Sequence, residues 1–204
     1  MAVFKAYVDD SGDTNDPKHS ACSIAGFVGT VQNWMEFENR WEGLLEKFRI
    51  PWLHMRDFAH HRPPFDRLSK VERSEVLGSL IDTIKHCELV GYGGVIRLPD
   101  LRRFNRERSR ELEARPLALY ACMNDIYVAD PWREIDMTLD RFDKPQRVIN
   151  KAREYAASHW SDDVSQTITS RPLGGSQSFR NVLPIQAADF LPRLRTQKEP
   201  RRPA

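Results

Sequence analysis

Two apolar runs near the start of the chain are joined by a linker too short to hold a crossover helix, and this sets the topology of whatever sheet they begin. Val3 to Val8 is made of Val, Phe, Ala, Tyr and Val around a single Lys5, and Ala21 to Thr30 reads ACSIAGFVGT. Both are rich in the residues that fit a pleated, half-buried surface. The polar linker Thr14 to Ser20 points to a hairpin, so the two strands pair antiparallel. The first strand is expected to stop at Asp9-Asp10-Ser11-Gly12, all turn or loop formers.

The rest of the chain alternates between helical and strand patterns. Trp34, Phe37, Trp41, Leu44, Leu45 and Phe48 recur at three- and four-residue spacing and predict a helix over 33–48, with Asn33 as its cap and Glu36 as the capping-box partner. Residues 51–68, with Pro51, Pro63 and Pro64, read as irregular. Ser69 and Glu72 open a second helix with Leu77, Leu80, Ile81 and Ile84 as its buried stripe. Glu88 to Leu98 reads as a third strand, whose Gly91, Gly93 and Gly94 suggest a close backbone approach or a bulge.

Leu101 to Glu113 is charged and Arg-rich, a solvated helix. Pro116 suits the first turn of a further helix through Asp130. In Ile135 to Asp140, Ile135, Met137 and Leu139 face one way, and Asp136, Thr138 and Asp140 the other. A helix over 146–160, a weak strand over 167–170, a Gly/Ser loop over 174–178 and a last helix from Pro184 complete the pattern. This order implies an α/β domain around a mixed sheet. At 204 residues the chain suits one domain, 1–192, with a helical insertion over about 33–86 and a basic, disordered tail over 193–204.

Composition excludes several classes. The three cysteines, Cys22, Cys87 and Cys122, are far apart and form no Cys-x-x-Cys pair, which argues against a disulfide framework or a thiolate zinc site. No apolar run approaches the ~20 residues that span a bilayer. The N-terminus lacks the features of a signal peptide, so the expectation is a cytoplasmic protein without membrane contact. No phosphate-binding P-loop motif is present. The net charge is +2. Five basic residues against one acidic in the last twelve leave the body near −2, so charge alone does not announce a nucleic-acid binder.

The chemistry-bearing candidates are carboxylates. Strand alternation puts Asp9 on the face of Lys5 and Tyr7, and Asp10 on the other. Gly12 allows a sharp turn that brings Asp13 back toward the strand end. Carboxylates so close repel one another, and a hard divalent cation relieves that repulsion. Read alone, the segment equally fits a solvated turn. Asp140, followed by Arg141-Phe142-Asp143, ends a strand on its polar face, where an ordinary turn aspartate also fits.

Asp189 lies between Ala188 and Phe190 in an apolar helix start, three residues after Gln186. A carboxylate there requires a partner, or else the dipole of a helix N-terminus. Two strand ends and one helix supplying carboxylates match the demands of two-metal phosphodiester hydrolysis. His54, Asp57, His60 and His61 form a weaker, zinc-like group, within which His54 alone suits a substrate contact or a proton donor. Ser11 has no nucleophile elbow around it.

Tyr7-Val8-Asp9-Asp10-Ser11-Gly12-Asp13, Leu53-His54-Met55, Leu139-Asp140-Arg141 and Pro184-Ile185-Gln186-Ala187-Ala188-Asp189-Phe190 occur in this order. Together they resemble domain-of-unknown-function family 3800, over the chain as far as about Leu191. The resemblance implies a ribonuclease H-like fold, a mixed sheet of about five strands with helices packed on both faces. It implies Asp9, Asp140 and Asp189 as catalytic metal ligands for Mg²⁺ or Mn²⁺, with Asp10, Asp13, His54, Asp143 and Gln186 as accessory candidates. The activity it suggests is a metal-dependent nuclease, acting on DNA or RNA in a defence or mobile-element context. Asp10 departs from the family's more usual Glu. The competing expectation is a non-catalytic module on the same fold that binds nucleic acid or protein.

Overall fold

The computed structural model describes residues 4–12, 16, 19–130, 134–140, 144–158, 168–172 and 182–189. Strand β1 (Phe4–Ser11) pairs antiparallel with β2 (Ala21–Thr30), and β2 antiparallel with β3 (Val90–Arg97). On its other side β1 pairs parallel with β4 (Ile135–Leu139), which pairs parallel with β5 (Ile168–Pro172). The result is one open mixed sheet in the order β3-β2-β1-β4-β5.

The pleat sorts side chains into two cores, one per face. Tyr7 and Phe27, directly paired across β1 and β2, pack with α1 (Val31–Phe48), α2 (Met55–Ala59) and α3 (Lys70–His86). Ala6, Val8, Ile24, Val28, Ile135, Met137 and Leu139 pack on the opposite face with α5 (Ala114–Ala129) and α6 (Pro145–Ala157). Between β3 and α5 runs the Arg-rich α4 (Leu98–Arg108). Cys22, Cys87 and Cys122 are buried, and burial pushes the Cys22 thiol up to about 11. No helix among the described residues is long and apolar enough to cross a membrane.

Several boundaries differ from the sequence expectation. β1 does not stop at Asp9. Its pairing with β2 continues through Asp9–Ala25, Asp10–Ile24 and Ser11–Ser23, because ladder bonds outweigh the turn preference of aspartate. Helix α1 begins earlier than expected. Thr30 is its cap and Asn33 the reciprocal capping-box partner, so Asn33 occupies the position three residues into the box rather than its start.

Ser69 and Glu72 cap α3 as the sequence suggested. Residues 51–68 contain the short α2, hidden from periodicity by its five-residue length. Helix α4 ends at Ser109, in the left-handed region with φ 47°, rather than running on to Glu113.

Two glycines mark close approaches. Gly12 has φ 96°, where a side chain would be strained, and an added Cβ would strike the Ala21 carbonyl oxygen. Gly94 lies under α5, where a Cβ would run into the Ala118 carbonyl oxygen, with Ala121 Cβ at 2.7 Å. The glycine-rich reading of β3 thus resolves into a helix packed onto strand backbone. Gly94→Ala is expected to lower the unfolding free energy by about 1–3 kcal/mol, the usual range for overpacking. Gly78, inside α3, has nothing within 4 Å of an added Cβ, so Gly78→Ala should stabilise by roughly 0.5–1 kcal/mol. Urea denaturation of both variants beside wild type measures the two signs.

Candidate functional site

The site begins where the parallel ladder between β1 and β4 runs out. Their parallel register pairs Val8 with Leu139, and the Asp140 amide donates to the Val8 carbonyl at 3.0 Å, one residue past β4. Continuing that register sets Asp9 beside Asp140. Tyr7 and Thr138, one step back, are partners on the same face, so both aspartates project to the side covered by α1. The Asp10 amide donates to Asp9 Oδ1 at 2.8 Å and holds the first carboxylate to its own strand.

A third carboxylate arrives from the other end of the chain. Residues 183–189 form a short helix, α7, whose residues 184–189 are all buried. Its position is fixed by hydrogen bonds to the chain just before α2. Gln186 Oε1 accepts from Leu53 N at 2.8 Å and from Trp41 Nε1 at 3.2 Å. Asp189 Oδ2 accepts from Met55 N at 2.6 Å. Gln186 is 1% exposed and Asp189 7%, so both polar groups are buried with partners, as burial demands.

Electrostatics register the convergence. Burial, then the charges of Asp189 and Asp140, then that of Asp10, push the Asp9 carboxyl well above the ordinary value near 3.8, against the opposing pull of the Asp10 amide. This pattern, a desolvated acid crowded by like charges, is typical of functional sites.

The accessory candidates fall into three groups. Asp10 projects to the opposite face, as the pleat requires, and its Oδ2 lies 2.7 Å from Arg115 Nε at the start of α5. Burial raises the Asp10 carboxyl, and Arg115 opposes that rise. His54 sits between the two anchored residues Leu53 and Met55, which brings its Cα within about 5 Å of Asp189 Oδ2 by standard backbone lengths. Its Nδ1 is 2.8 Å from Asp57 Oδ2, and the His54 ring holds the Asp57 carboxyl below the usual range. His60 and His61 are exposed. Asp13 and Asp143 lie outside the described residues.

Sequence reasoning missed three residues here. Arg115 carried no signal, since its partner lies across the sheet. Asp57 was visible only as part of a zinc-like group. Ser23 was absorbed into a buried strand, yet it is 0% exposed and its Oγ has no hydrogen-bond partner among the described residues.

The donor set fits a hard divalent cation, since it consists of carboxylates, with no thiolate among them. Asp9, Asp140 and Asp189 would hold it. Among the described residues, no three His, Cys, Asp or Glu side chains are gathered as a ready-made metal cage. Asp9 and Asp189 each have one oxygen engaged by a backbone amide. Comparison with known proteins finds no family model and no curated protein that matches this chain.

Two outcomes follow. Gln186→Leu leaves the Leu53 and Trp41 donors buried without acceptors and should cost about 2–4 kcal/mol of stability in urea denaturation. Asp9→Asn keeps an acceptor for the Asp10 amide and removes a crowded charge. Because the folded-state pKa of Asp9 is raised, its ionised form is disfavoured in the native state. That penalty is absent below the ordinary value near 3.8 and enters as pH rises through the raised one. Metal-free Asp9→Asn should therefore melt a few degrees above wild type at pH 7, with the gain shrinking toward pH 4. Thermal scans at the two pH values measure it, and an equal gain at both would contradict the charge argument.

Proposed function

We propose that this chain is a divalent-metal-dependent nuclease, hydrolysing phosphodiester bonds with Asp9, Asp140 and Asp189 as the working carboxylates. The observation that supports the reading is the position of Asp9, where the β1–β4 ladder runs out beside Asp140 and where burial, then the charges of Asp189 and Asp140, raise its carboxyl. Mg²⁺ or Mn²⁺ held there would supply Lewis-acid activation of water and stabilisation of the leaving oxygen. The sheet order, antiparallel from β3 to β1 and parallel from β1 to β5, supports the ribonuclease H-like reading.

The chain's own groups do the positioning. The Asp10 and Met55 amides orient the Asp9 and Asp189 carboxylates before any ligand arrives. Such preorganisation is where much of the catalytic advantage of a charged site lies. His54, steadied by Asp57 and close to Asp189, is placed to meet substrate or to move a proton at the rim of the carboxylate group. Nucleic acid, DNA or RNA, is the substrate class this chemistry takes.

The test is cleavage of labelled single- and double-stranded DNA and RNA with Mn²⁺, alongside Mn²⁺ titration calorimetry. Wild type should cut at least one substrate, and Asp9→Asn and Asp189→Asn should each lose about a hundredfold or more in rate. If both variants cut as well as wild type, the site is wrong. A folded wild-type protein that takes up no Mn²⁺ would transfer the reading to a non-catalytic binding module.

A further inference from the structure

Ser23 sits on β2 opposite Ser11, two residues along from Ala25, the partner of Asp9. Ile24 and Val28 enter the core on the α5 side, and Phe27 the core on the α1 side. Alternation therefore turns Ser23, Ala25 and Phe27 to the α1 side, the face of Tyr7 and Asp9. Asp9 and Ser23 are diagonal neighbours across an antiparallel pair, a spacing of roughly 7–8 Å or less. Ser23 is 0% exposed, and its hydroxyl has no hydrogen-bond partner among the described residues.

A buried hydroxyl without a partner is destabilising, because it forfeits the hydrogen bonds that water would give it. Ala25, two positions along the same face, is itself fully buried and carries only a methyl group. An alanine at 23 would thus avoid the penalty with almost no change of shape. The hydroxyl lies on the face of Asp9, whose carboxyl feels the charges of Asp189 and Asp140.

We propose that Ser23 is a contact of the cation site, its hydroxyl serving the hydration shell of a divalent cation held by Asp9, Asp140 and Asp189. This rests on the metal-dependent reading above and extends it to a residue outside the carboxylate set. Groups in this outer position orient what the cation carries, and their removal costs about 10–100-fold in metal affinity. Among the described residues the hydroxyl has no partner, and the hydration shell of a bound cation would supply one.

Calorimetric titration of Mn²⁺ alone into wild type and Ser23→Ala, both stripped of metal, tests the proposal without any assay of cleavage. Ser23→Ala should melt at or above the wild-type temperature, since a buried unpaired hydroxyl has been removed, and should bind Mn²⁺ about tenfold or more weakly. Equal affinity in the two proteins overturns the proposal and leaves the carboxylate site intact. No uptake by wild type overturns the metal-dependent reading itself, and this proposal with it. If Ser23→Ala does not fold, Ser23→Cys, close to serine in size but a poor hydrogen-bonding group, gives the same comparison.

Discussion

The parallel pairing of β1 with β4 is the constraint on which the rest of the site depends. It sets two acidic residues side by side at the ends of neighbouring strands, on one face, with ladder hydrogen bonds running up to them. Strands are ~4.8 Å apart, and the Asp140 amide still bonds to the Val8 carbonyl, so Asp140 leaves β4 beside Asp9. Burial, then the charge of Asp189, then that of Asp140, raise the Asp9 carboxyl well above its ordinary value. Two apolar cores, one on each face, supply the stability that tolerates it. Proteins commonly sacrifice stability at a working site in this way.

The C-terminal helix completes the site only because the segment between α1 and α2 offers it backbone donors. Leu53 N and Met55 N, two residues apart on an extended stretch, meet Gln186 and Asp189, three residues apart on α7. These two spacings match an extended segment lying against one face of a helix. Trp41, stacked on Phe37 at 5.6 Å and buried in α1, adds its indole N–H to the same glutamine. The long excursion between β2 and β3 therefore has a stated job: it carries the amides that orient the last carboxylate.

Much of this was legible in the sequence, for identifiable reasons. Ser69 and Glu72 form a capping box whose logic is local, so spacing alone revealed it. The opposite facing of Asp9 and Asp10 followed from the period of the strand. The demand of Asp189 for a partner followed from its apolar neighbours, and the partner proved to be a backbone amide. What stayed hidden was non-local or short. No local rule extends β1 through two aspartates and a serine, because that extension is dictated by residues 23–25 of β2. No periodicity exposes a five-residue helix such as α2. The cap of α1 was misplaced by one box length because Thr30 and Asn33 are both good capping residues, and only the structure shows which one begins the helix.

Consecutive aspartates in a strand cannot share one ligand set, and the chain uses this separation. The pleat sends Asp9 to the α1 face and Asp10 to the α5 face. Asp10 meets Arg115, which balances it on that side of the sheet. If Arg115 lay instead on the α1 face, it would neutralise Asp9 and compete with any cation there. Placed across the sheet, it fixes the end of β1 through Asp10, while the Asp10 amide still donates to Asp9 Oδ1. One residue thus joins a structural ion pair on one face to the orientation of the Asp9 carboxylate on the other. A glutamate at position 10 would have a longer reach toward Arg115 but would leave that amide in place, so the backbone of residue 10, more than its side chain, is what the site uses.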